Sequence, residues 1–244
     1  MKSRYSNVVV ALAATGAIAG VAVFVGSAMR ARAQSGKAAV GVGVSVPSQI
    51  PLLATETQPQ YSPLGELQRV TFKLFNRGSQ PLTAVEISWT LKFAGGGTSR
   101  ATDYIDYWAQ QGGPLASGAA DTVEFSGATS QKPGGAVEPL VSAMATVAYA
   151  EFEDGSKYGP SIEPASVWFT SERTAKVAAY RELLQDYRAG GEPELIKALQ
   201  RVTPAQTGAA RGTRRYLYAL YRSSGTTAVV AELTRVASLP VPPG

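Results

Sequence analysis

The 244-residue chain contains no cysteine and no histidine. Without cysteine there is no disulfide framework, no thiolate nucleophile and no lipid attached through sulfur. Without histidine there is no Ser-His-Asp triad. The two absences together remove zinc sites of the Cys/His type and haem ligation by either residue. The sequence also lacks a G-x-S-x-G elbow, an S-x-x-K pair and a phosphate-binding Gly-Lys-Ser/Thr loop. Gly41 and Gly43 lack the third glycine of a dinucleotide fingerprint. Acid–base chemistry would have to rest on carboxylates, Lys or Tyr, and no arrangement of these points to a reaction. The expectation is a protein that is not an enzyme and that carries no cofactor and no metal.

Charge is scarce at the N-terminus. Lys2 and Arg4 are followed by Val8–Met29, 22 residues without a charged side chain, and then by Arg30-Ala31-Arg32-Ala33. A basic start, an apolar run and small residues before Gln34 fit an export signal over residues 1–33. The length of the run equally suits an uncleaved N-terminal membrane anchor. Both readings put the body outside the cytoplasm, periplasmic or secreted, because Lys2 and Arg4 hold the N-terminus inside. The formal charge of +5 comes mostly from this leader, since residues 34–244 carry 19 basic against 18 acidic groups. So even a balance predicts no nucleic-acid partner. It is unevenly spread, however: residues 34–170 hold 8 basic and 12 acidic side chains, and residues 171–244 hold 11 and 6. An acidic half and a basic half indicate two structural units.

Residues 34–63 alternate weakly through Val40, Val42, Val44 and Val46, then become rich in Pro and Gln. They read as a linker with one or two edge strands. Residues 64–163 are clearer. Val70, Phe72 and Leu74 alternate with polar residues. Val85, Ile87, Trp89, Leu91 and Phe93 do the same, with Glu86, Ser88, Thr90 and Lys92 directed outward. The turn-forming run Asn76–Pro81 between them predicts a hairpin with a six-residue connection. Further strands are expected at Asp103–Trp108, Thr122–Phe125 and Leu140–Phe152. A tight turn at Asp154-Gly155 then leads to a return strand at Lys157. Short strands separated by Gly- and Pro-rich turns predict an antiparallel β-sandwich of about seven or eight strands. From Pro164 the period becomes helical, through Val177, Tyr180, Leu184 and Tyr187. Gly190-Gly191 stops this helix, and Pro193, Pro204 and Thr226 mark further starts. Residues 164–239 therefore read as a small unit of three or four short helices, and residues 240–244 as a Pro-rich tail.

The stretch Phe72–Val85, with Asn76, Gly78 and Pro81 followed by Leu82, resembles the N-x-G-x-x-P-hydrophobic pattern of bacterial extracytoplasmic immunoglobulin-like and fibronectin-III-like modules. Trp89 falls where such folds bury a central aromatic, although the cysteine pair of antibody domains is missing. The resemblance implies an immunoglobulin-like sandwich engaged in adhesion, glycan binding or spacing; it carries over no catalytic residue.

Two clusters are candidate sites. If Asp103–Trp108 is a strand, Tyr104, Asp106 and Trp108 share one face, where two rings around a carboxylate could pack on sugar C–H surfaces. The competing reading is an aromatic strand filling the core. In the helical unit, Arg211, Arg214, Arg215, Tyr218 and Arg222 form one basic stripe, opposite an apolar side of Leu217, Leu220 and Tyr221. The stripe is either a solvated helix face or a docking surface for an envelope protein, an anionic polymer, lipid head groups or the acidic half of the same chain. Glu151, Glu153 and Asp154 lie near a turn, but their spacing is not that of a calcium loop. The function expected is an exported protein of envelope binding or assembly that docks through the basic helix. The alternative is a glycan-binding module working through Tyr104, Asp106 and Trp108, and a lesser one is an enzyme of unrecognised type. A membrane is met only through an uncleaved leader.

Overall fold

The computed structural model describes residues 41–62, 67–126, 130–131, 137–138, 140–201 and 208–240. The leader, the helix start at Thr203-Pro204 and the tail beyond Pro240 lie outside the described residues. The chain divides after Ile162 into two compact units, a β-rich one followed by a helical one.

Strands β1 (Gly41–Ser45), β2 (Leu52–Tyr61), β3 (Leu67–Asn76), β4 (Leu82–Phe93), β5 (Thr98–Asp106) and β6 (Ala120–Ser126) come first. The two-residue strands β7 (Ser130–Gln131) and β8 (Val137–Glu138), the long β9 (Leu140–Phe152) and the short β10 (Lys157–Tyr158) follow. One sheet has the order β1-β9-β4-β5, with β10 also on β9, and a second has the order β2-β3-β6. Residues 41–61 thus supply two edge strands, β1 and β2. β2 lies at a sheet edge, which tolerates Pro59, and a register shift between Thr55 and Gln58 accommodates Glu56 at φ 53°.

Two sequence expectations are corrected here. The larger sheet is mixed rather than antiparallel, because β1 runs parallel to β9. After β1 the chain turns at Pro47–Ile50 and enters the other sheet, so no hairpin fixes the direction of β1. The second correction concerns β3 and β4, which form no hairpin. β3 pairs with β2 and β6, whereas β4 pairs with β5 and β9. The connection between them crosses from one sheet to the other and is pinned by Asn76, whose side chain is fully buried. Asn76 Nδ2 donates to the carbonyls of Gln80 (2.9 Å) and Leu115 (3.0 Å), and its Oδ1 accepts from Gly78 N at 2.9 Å. An Asn that satisfies three backbone groups closes the crossing as firmly as a ladder would. The turn at Asp154-Gly155 does join β9 to an antiparallel β10.

The sheets share one core. Val70, Phe72 and Leu74 from β3, Val123 and Phe125 from β6, and Val85, Ile87, Trp89 and Leu91 from β4 are all buried in it. Trp89 lies at its centre, stacked on Phe125 with centroids 4.3 Å apart and tilted against Phe72 at 6.2 Å. Its indole N–H needs an acceptor once out of water, and Nε1 donates to Asp103 Oδ2 at 2.9 Å.

The helical unit contains α1 (Ile162–Gln200) and α2 (Gly208–Ala237), each interrupted once. Gly191 (φ 68°, ψ −153°) and Gly225 (φ 78°, ψ 179°) adopt backbone angles that are essentially closed to residues with a Cβ. Among the described residues four helical segments result, with one junction at Gly191, where the sequence places a stop, and one at Gly225, next to the start expected at Thr226. Phe169, Val177, Tyr180, Leu183 and Leu184 of α1 are buried, as are Leu217, Val229, Leu233 and Val236 of α2. Among the described residues no helix is long and apolar enough to cross a membrane.

Candidate functional site

The β unit turns one face of β4 away from the core. Cross-strand register places Tyr104 and Tyr149 on either side of Glu86, and Asp106 and Glu151 on either side of Ala84. Directly opposed residues share a face, so these five polar groups form one patch. Glu86 departs from the outward, solvated position that alternation predicts: it is only 8% exposed, with a tyrosine beside it on each neighbouring strand. Burial raises its carboxyl above the ordinary range, and burial together with the Glu86 charge raises the Tyr104 hydroxyl. Glu151 is buried as well, accepting from Tyr149 Oη at 2.7 Å and from Thr83 Oγ1 at 3.2 Å. It is thereby separated from Asp154, which caps its own turn by accepting from Ser156 N (3.0 Å) and Oγ (2.7 Å). Those bonds hold the Asp154 carboxyl below its usual range. Among the described residues no group of three or more carboxylates is placed to hold a metal ion.

The aromatic candidate comes together only in part. β5 ends at Asp106, and Tyr107–Gln110 curl into a turn closed by Gln110 N on the Tyr107 carbonyl at 3.2 Å. Tyr104 and Asp106 share the outer face, but Trp108 lies beyond the strand. Its backbone N–H is 3.3 Å from Asp106 Oδ1 and 3.2 Å from the Thr83 carbonyl. The carboxylate expected to serve a sugar therefore accepts from its own backbone, and Trp108 is not on the strand that carries Tyr104 and Asp106.

The basic candidate is sorted by burial. Arg211, Arg215 and Arg222 are exposed on one arc of α2, with the half-buried Tyr218 among them. Arg214 does not belong to this arc. It is 4% exposed, its Nη2 donates to Glu182 Oε1 at 2.9 Å, and its Nε reaches the Ala198 carbonyl at 3.3 Å. A helical projection puts Arg214 between the arc and buried Leu217, and the acceptors on α1 draw it inward. Leu217 is buried as expected, while Leu220 and Tyr221 are half-buried. Tyr218 stacks on Tyr221 (centroids 6.4 Å, planes at 23°) and accepts from Gln200 Nε2 at 3.2 Å. Tyr221 Oη donates to Glu192 at 2.9 Å, and with Thr226 it holds that carboxyl below its usual range. Among the described residues Arg211, Arg215 and Arg222 make no ion pair. Nearby acids are engaged elsewhere: Glu182 with Arg214, Glu194 with Lys197, Glu232 with Arg235.

Sequence reasoning missed the Glu86–Tyr104–Tyr149–Glu151 patch and the Trp89–Asp103 bond. The second had a signal, an Asp at an inward position of a strand near a core Trp. The first had none, because alternation labels Glu86 merely as outward.

No protein-family model and no curated protein matches the chain. Among solved structures it is similar to a hypothetical protein from Peptoclostridium difficile, at 14% identity over 46% of this chain and 88% of the other, with a TM-score of 0.28. It is also similar to a Bordetella pertussis protein described as ApaA, at 15% identity over 44% and 84%, again with a TM-score of 0.28.

Proposed function

We propose that the protein is an exported, non-enzymatic envelope-binding protein in which the β unit is an immunoglobulin-like scaffold and the arginine arc of α2 is the docking surface. The observation that carries this reading is the arc itself: Arg211, Arg215 and Arg222 are exposed and have no ion pair among the described residues, whereas Arg214 and Arg235 on the same helix are committed to carboxylates. Guanidinium groups left unpaired on a folded surface attract anionic partners and guide their approach. The immunoglobulin-like reading is supported by the order β2-β3-β6 set against β1-β9-β4-β5, with the chain crossing between these two sheets after β1, β3 and β5 and reaching the larger one again at β9. The run Val8–Met29 supports export. The Tyr104–Asp106–Trp108 alternative is weakened by the turn at Tyr107–Gln110, which takes Trp108 out of the strand.

The test is retention in the cell envelope. The full chain should fractionate with the envelope and leave it in high salt, and the variant carrying Arg211→Ala, Arg215→Ala and Arg222→Ala should be retained far less. Cytoplasmic fractionation, or retention indifferent to the three substitutions, overturns the reading.

A further inference from the structure

We infer that the arginine arc takes a linear acidic polysaccharide, laid along α2 with its carboxylates on Arg211, Arg215 and Arg222 and a sugar ring against Tyr218. The inference rests on the envelope-binding reading and names the ligand class of the same surface. Arg211 and Arg215 are one turn apart, and Arg222 lies two turns further. The charges thus extend along the axis over about 16 Å, at about 1.5 Å per residue. A row of cations fits a polymer whose anions recur along its length better than it fits a compact ion. Each guanidinium can take a carboxylate in bidentate fashion. Tyr218 supplies what charge alone does not. Its ring is held by the stack on Tyr221 and by the bond from Gln200, and a fixed aromatic beside cations suits the alternation of C–H faces and carboxylates in an acidic glycan.

The neighbouring surface argues against the other anionic partners. Gly212, Ala219 and Ser223 are exposed beside the arc, and none of the large exposed hydrophobic side chains (Leu53, Val141, Ile162, Val167) is on α2. A helix that inserts into a bilayer interface needs an apolar face, and a protein interface needs buried anchors. This arc offers neither. Its small residues instead let a chain lie close to the backbone.

The experiment uses the full chain reconstituted into phosphatidylcholine vesicles free of detergent, titrated with polygalacturonate, polyglutamate and phosphatidylglycerol vesicles. Polygalacturonate should bind best, with an affinity that falls as salt rises. The triple arginine variant should bind it at least about tenfold more weakly, and Tyr218→Ala about threefold more weakly, with polyglutamate unaffected by the latter. Circular dichroism of each variant verifies that α2 is intact. Equal binding by the triple variant, or a preference for vesicles or polyglutamate, overturns the inference. If polygalacturonate fails while the triple variant still loses envelope retention, the ligand class falls and the docking reading stands. If retention is also unchanged, both fall.

Discussion

Replacing Trp89 by Phe tests whether the centre of the β unit is held by a polar bond as well as by packing. The substitution keeps an aromatic ring between Phe72 and Phe125 but removes the donor that reaches Asp103 at 2.9 Å. Both partners are buried, Trp89 completely and Asp103 to 5% exposure. Leaving a buried acceptor one partner short costs about 1–3 kcal/mol. The smaller ring also leaves a void, which adds about 1 kcal/mol. Together these give about 3 kcal/mol, equivalent to a fall of roughly 10 °C in the midpoint for a unit of this size. The assay is thermal and urea unfolding followed by far-ultraviolet circular dichroism, completed as a cycle with Asp103→Ala, which removes the acceptor. The two substitutions should be non-additive by about 1–2 kcal/mol, because each removes the same bond. Additive effects, or a loss from Trp89→Phe below about 1 kcal/mol, would refute the bond as a determinant of stability.

Three further outcomes follow from the same structure. Arg214→Ala should destabilise the helical unit by about 2 kcal/mol, less than a fully buried pair because Glu182 is 54% exposed, while Arg215→Ala should change it by under about 0.5 kcal/mol; thermal melts of the two variants compare them directly. Glu86 holds its proton more tightly in the folded chain than in the unfolded one, so its contribution is fully present below the ordinary carboxyl range and is lost as pH rises through the raised value. Glu86→Gln should therefore leave stability unchanged in acid and raise it by about 1 kcal/mol near neutrality, read from melting midpoints between about pH 4 and about pH 8. Gly225→Ala should cost about 1–3 kcal/mol in helical stability, because φ 78° with ψ 179° excludes a Cβ, whereas Gly212→Ala in regular helix should not; equal effects in paired melts would contradict the junction.

What could be read in advance divides along a physical line. Alternation in Val85–Phe93 fixes which side chains face the core, because that property belongs to one strand. It does not choose the neighbour: β4 selects β9 over β3 through contacts between residues far apart in sequence, and Asn76 acts through Leu115, 39 positions away. The helix junctions were legible because Gly191 and the capping Thr226, beside Gly225, act locally. Arg214 was not, since its burial depends on Glu182 and Ala198 of the other helix. Trp108 shows the same boundary at short range. Residue type and spacing continue the strand through it, but the hydrogen bonds of Tyr107 and Trp108 to the Thr83 carbonyl end the strand at Asp106.

The crossing between β3 and β4 also orders the events by which the β unit can form. Consecutive strands on opposite sheets give the emerging chain no local pair to stabilise at that point. β4 can pair with β5 as soon as both have been synthesised, but its other flank waits for β9, whose partner residues lie about 50 to 70 positions further on. The middle of the larger sheet therefore stays open until Phe152 is free of the ribosome, and until then β4 exposes an apolar face and an unpaired edge. A chain of this design depends on being kept apart from other copies during its last third of β-strand synthesis, and truncation anywhere before β9 yields a sticky fragment rather than a smaller domain.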